Sequence, residues 1–160
     1  MYKIWRLGRK VITIKREQQL RSLAAGLMPV RHRSTTDNVY HCCVWKTASQ
    51  WVRNVFSSSS VYRYSGLLPY DYENQQGEND RPLQDRTFDQ PAPRRRIVSP
   101  LYADHRHFDA MPKPDSYRAF FVCRDPRDLV VSHYFSSRYS HASSAGVEQE
   151  RAQLSALSES

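Results

Sequence analysis

The sequence predicts an α/β protein built on a parallel sheet, with a ligand at the C-terminal edge of the strands. Three observations carry that expectation. The run VYHCCVW (39–45) is short, apolar and β-favouring, and a helical pattern follows it at once. The run SYRAFFVCRD (116–125) has the same form and the same sequel. At each crossing from strand to helix stands a cation, Lys46 in the first unit and Arg124 in the second. Strands alternating with helices bury both sheet faces and bring their outgoing loops to one edge, where ligands bind.

The chain of 160 residues is long enough to bury one core, and 39% hydrophobic content suits a folded domain. Its net charge of +8 is unevenly placed. Residues 1–33 hold nine Lys or Arg against the single acid Glu17, and the remainder holds fifteen of each sign. The basicity therefore belongs to an N-terminal arm, read as residues 1–36, and not to the domain at 37–160, which argues against a nucleic-acid face. Within the arm, Ile4, Leu7, Val11 and Ile14 recur at helical spacing between basic residues. Such a stripe packs on its own domain or makes weak contact with an anionic membrane surface. No continuous apolar stretch suggests a signal peptide or a membrane span, and Cys42, Cys43 and Cys123 form neither a disulfide framework nor a zinc spacing. They read as small buried hydrophobes, and the setting as cytoplasmic.

In the first helix Thr47 is placed to cap and Gln50 follows three residues later, the spacing of a capping box. Ala48, Trp51, Val52, Val55 and Phe56 then share a face, and SSSS (57–60) ends the helix. Residues 63–95 read as irregular. RRRIVSPLY (94–102) holds a brief strand at Ile97–Val98, and ADHRHFDAMPKPD (103–115) reads as a loop with two histidines. The second helix has Asp125 as cap, Pro126 at its first position, Asp128 in its first turn, and Leu129, Val130, His133 and Tyr134 along one side. A further helix is expected at 147–160.

At the first junction the unpaired N–H groups of the helix start, the ammonium of Lys46 and the hydroxyls of Thr47 and Ser49 suit a phosphate or sulfate. A capped helix with a lysine reaching to solvent explains the same residues. Lys46–Thr47 match the end of G-x-x-x-x-G-K-[ST], but the glycine positions are Tyr40 and Trp45, so a nucleoside-triphosphatase loop is not present. At the second junction the fork of Arg124 suits a phosphate dianion, and Ser132 lies two turns along the helix. The competing reading pairs Arg124 with Asp128.

Taken together, the two junctions resemble a known family. KTASQW (46–51) is similar to the 5′-phosphosulfate loop of the PAPS-dependent sulfotransferases, K-S-G-T-T-W. CRDPRDLVVSHYF (123–135) is similar to their 3′-phosphate segment, R-[DN]-P-[KR]-D-x-x-V-S-x-Y, with Arg124, Pro126, Asp128, Val131, Ser132 and Tyr134 in register. The resemblance implies a P-loop-like, three-layer fold with a central parallel β-sheet flanked by helices. It implies 3′-phosphoadenosine 5′-phosphosulfate (PAPS) as sulfuryl donor, without a metal, and a small-molecule, carbohydrate or lipid acceptor. By the same carry-over Lys46 supports the leaving oxygen, Thr47, Ala48, Ser49, Gln50 and Trp51 form the loop, and Arg124 and Ser132 bind the 3′-phosphate.

The chain departs from the pattern in three ways. Ala48 replaces the loop glycine and Gln50 a threonine. The family's histidine base, counted back from Arg124, falls on or beside Tyr102, with His105 and His107 a few residues further on. Tyr102 and His105 are the candidates for the base, although the first reading of His105 and His107 is as plain loop residues. Finally, the resemblance covers residues 39–157, and none of the five glycines sits in the later glycine-rich loop that completes the family's 3′-phosphate site. A truncated product is therefore expected. The expected function is a sulfotransferase, and the alternative is a catalytically incomplete nucleotide-binding remnant.

Overall fold

Four short strands, each with β-favouring residues, pair side by side because every connection between them returns the chain to the same end of the sheet. The computed structural model describes residues 27, 29–76 and 85–140. The amphipathic helix read in the arm and the helix read at 147–160 lie outside the described residues. In chain order the elements are β1 (Asn38–Cys43), α1 (Ser49–Phe56), α2 (Ser59–Ser65), β2 (Leu68–Tyr70), α3 (Tyr72–Gln76), β3 (Arg96–Leu101), α4 (His105–Ala110), β4 (Tyr117–Val122) and α5 (Pro126–Phe135). A π-helical turn, Ser136–Ser140, continues α5. The strand order is β2-β3-β1-β4 and all three pairings are parallel. Among the described residues no helix is long and apolar enough to cross a membrane.

Central β1 is buried at five of its six positions. Successive strand residues face opposite sides of a sheet. Tyr40 meets Phe108 of α4 edge-on with ring centroids 5.5 Å apart, while its neighbour His41 meets Phe56 of α1 at 6.1 Å. The helices α1 and α4 therefore cover opposite faces. Around Tyr40 the core gathers Cys42, Tyr72, Phe88, Val98, Leu101, Phe108 and Met111. The buried Tyr40 hydroxyl accepts from Asn38 Nδ2 at 3.2 Å, and the amide oxygen of Asn38 accepts the Arg96 N–H at 3.0 Å, which stitches β1 to β3.

Several expectations are corrected. SYRAFFVCRD is a strand, but β4 lies at the sheet edge, and Phe120 and Phe121 are 37% and 46% exposed. Cys42 and Cys43 are buried, whereas Cys123, just past the edge strand, is exposed. SSSS does not simply end α1. Ser57 closes that helix, and Ser58 caps α2 by accepting the Val61 N–H at 3.4 Å. The stretch read as irregular, 63–95, contains the end of α2 and all of β2 and α3. The loop read at 103–115 contains α4, capped by Asp104, which accepts the His107 N–H at 2.9 Å.

Candidate anion-binding site

In an all-parallel sheet every strand ends at the same edge, so the residues that follow the strands converge there. Those residues are Asp71 after β2, Tyr102 after β3, Lys46 after β1 and Arg124 after β4. Asp71 is occupied by Arg53 of α1 at 2.8 Å, which fixes α1 against the edge. The other three carry the candidate chemistry.

The loop between β1 and α1 is shaped by two left-handed residues, Lys46 (φ 67°) and Ala48 (φ 59°). A left-handed residue followed by a right-handed one turns consecutive N–H groups inward, the geometry of an anion-binding nest. The helix begins one residue later than expected. Ala48 occupies the cap position and supplies no side-chain cap. Thr47 does not cap the helix. It is buried, and its hydroxyl donates backwards to the Val44 carbonyl at 2.7 Å, closing the turn. The first turn of α1 thus presents its N–H groups without a side-chain acceptor, as an anion site requires. Gln50 is exposed and Trp51 is 69% exposed, so the predicted apolar face of α1 is only partly buried.

The second junction folds as expected. Asp125 caps α5 by accepting the Arg127 N–H at 2.9 Å, Pro126 opens the helix and Asp128 stands in its first turn. Arg124 lies 3.7 Å from Asp128, a long and exposed ion pair, and also donates from Nη1 to the Lys46 carbonyl at 3.2 Å. The two junctions therefore touch. Lys46 Nζ donates to Ser136 Oγ at 2.7 Å, just beyond α5. Ser132 lies on α5 one turn before Ser136, on the same helical face. Lys46, Thr47, Ala48, Ser49 and Arg124 are brought to one locus, touched by Ser136, and Ser132 stands one turn back along α5.

Of the two candidate bases, Tyr102 is at this locus and His105 is not tied to it. The Tyr102 hydroxyl lies 2.8 Å from Ser49 Oγ, at the first residue of α1. Burial pushes its phenol above the ordinary 10.0, against the hydrogen bonds from Ser49 and Gln50. It is therefore neutral near pH 7 and acts as a donor or a spacer, not as a ready base. His105 starts α4 with its side chain 78% exposed and faces Asp109 at 3.3 Å. His107 faces Asp104 at 2.7 Å.

Two residues escaped the sequence reading. Ser136 could have been found as the second member of a serine pair four apart, a repeat of the Ser132 position one turn on. Glu73 had no local signal. It is 1% exposed, and its Oε1 accepts the Tyr102 N–H at 2.6 Å. Burial raises its carboxyl from 4.5 to about 7, with the Tyr102 N–H and Arg86 pulling the other way. Its folded value lies above its unfolded one, so its contribution to stability is full below 4.5 and is lost as pH rises through 7.

Comparison with protein families, with curated proteins and with solved structures found no match.

Proposed function

We propose that the chain is a PAPS-dependent sulfotransferase with the P-loop-like, three-layer fold of that family, transferring a sulfuryl group to an acceptor hydroxyl or amine. The observation that carries this reading is the Arg124–Lys46 contact. It joins a side-chain-uncapped helix start to a second cationic junction, on adjacent parallel strands, with Ser136 against Lys46. The motif matches at KTASQW and CRDPRDLVVSHYF supply the nature of the ligand.

In this reading the loop N–H groups and Lys46 hold the phosphosulfate, and Arg124 with Ser132 holds the 3′-phosphate. The acceptor oxygen or nitrogen bonds to sulfur while the bridging S–O bond breaks. Lys46 releases Ser136 and stabilises the negative charge that grows on the leaving oxygen. The acceptor's proton passes to water. Positioning and preorganised charge supply the rate, as in phosphoryl transfer. A second reading, nucleotide binding without turnover, is favoured by the placement of His105 on an exposed helix end, paired to Asp109.

Calorimetric titration with adenosine 3′,5′-bisphosphate tests the site. The intact chain is expected to bind, and Lys46→Ala and Arg124→Ala each to weaken binding by at least about tenfold, as loss of a charge-assisted contact does. An intact chain that fails to bind rules the reading out. Transfer of labelled sulfate from PAPS to an acceptor panel then separates the enzyme from the binding remnant.

A further inference from the structure

A buried carboxylate lies behind the loop, and the proposed transfer makes no use of it. Glu73 stands on α3, between the ends of β2 and β3. One of its oxygens accepts the Tyr102 N–H at 2.6 Å and lies 3.5 Å from Arg86 Nη1. Among the described residues, the other ionisable groups facing it are Asp71 at the end of β2, Cys42 and Cys43 on β1, and the Tyr102 phenol. Both thiols are pushed up to about 12 by burial and stay neutral between pH 5 and 9.

Tyr102 is thus held at two points. Its backbone N–H is fixed by Glu73, and its hydroxyl lies against Ser49, whose own N–H belongs to the first turn of α1. One backbone hydrogen bond and one rigid ring separate the carboxylate from the anion loop. An ionised carboxylate accepts a hydrogen bond more strongly than its protonated form, so the charge on Glu73 sets how firmly Tyr102 is seated.

We propose that Glu73 is a positioning residue for the anion loop, seating Ser49 through Tyr102, and that protonation of Glu73 loosens the loop's grip on a sulfate or phosphate group. The inference rests on the sulfotransferase reading only for the identity of the natural ligand. Burial places the carboxyl's ionisation at about 7. Anion affinity therefore rises from pH 6 to pH 8. Simple repulsion between an ionised Glu73 and the bound anion gives the opposite trend.

The test uses inorganic sulfate, which stays a dianion across this range, with amide NMR on the full chain and on Glu73→Gln and Tyr102→Phe. In the unmodified protein the Tyr102 and Ser49 amide signals should move with one shared midpoint near 7, and sulfate should bind about threefold to tenfold tighter at pH 8 than at pH 6, the range of one hydrogen bond. In Glu73→Gln, which keeps an acceptor but cannot ionise, the shared titration and the pH dependence of binding should both disappear. In Tyr102→Phe the pH dependence of binding should disappear. A Ser49 amide that ignores the Glu73 titration, an affinity that rises toward low pH, or no sulfate binding at all overturns the proposal. Failure of adenosine 3′,5′-bisphosphate to bind a protein that shows the sulfate effect removes the sulfotransferase reading and leaves Glu73 in place. A flat sulfate profile in a protein that binds the bisphosphate does the reverse.

Discussion

Ala48 takes a conformation that glycine adopts freely and alanine does not. With φ at 59° its Cβ crowds the following carbonyl, a cost of about 1–2 kcal/mol per residue. Glycine relieves that strain but widens the unfolded ensemble by about 0.4–1 kcal/mol. Ala48→Gly should therefore stabilise the protein by about 0.5–1 kcal/mol, seen as a higher urea midpoint at unchanged slope. A lower midpoint would show that the loop gains nothing from glycine. This strain also explains why the loop was half legible in the sequence. Lys46, Tyr102 and Arg124 stand out because charge or an aromatic ring directly follows a strand. Thr47 misled, because Thr-x-x-Gln marks a helix start only when the chain enters in extended geometry, and nothing in the letters Lys or Ala announces a left-handed turn. Glu73 was illegible because its role depends on burial by elements far along the chain.

Among the elements, the long periodic ones were readable and the short ones were not. Strands β1 and β4 and helices α1 and α5 were all recognisable from pattern and capping. By contrast, β2 has three residues and α3 has five, too few to show a period against Tyr, Asp and Gln neighbours. The apolar run in β4 suggested a strand covered on both faces, as parallel strands generally are. Local sequence does not say which strand takes the centre, and here β1 does. That ordering has a measurable energetic signature. Leu101, 0% exposed in β3, should cost about 2–5 kcal/mol on replacement by Ala. Val130, 68% exposed on α5, should cost no more than about 0.5 kcal/mol by the same substitution. Comparable losses in denaturant titrations of the two variants would contradict the exposed placement of α5.

For the whole molecule, the site is shared between unequal partners. Its Lys46 half hangs from β1, a strand paired on both sides and buried at five of its six positions. Its Arg124 half opens α5, a helix with no buried residue, whose Val130 and Val131 face solvent. Backbone amides in such a helix exchange with solvent through local opening, while those of a central strand exchange only when the whole fold opens. Deuterium should thus enter Pro126–Phe135 well before Asn38–Cys43, and adenosine 3′,5′-bisphosphate should slow exchange in the helix far more than in the strand. Equal rates in the two segments, or ligand protection confined to β1, would contradict this asymmetry. The consequence is kinetic and thermodynamic at once. If the proposed nucleotide spans Lys46 and Arg124, it would bind at full strength only while α5 holds its described position, so its apparent affinity would be the intrinsic one scaled by the fraction in that position. Any contact that steadies α5 then tightens nucleotide binding without touching the nucleotide.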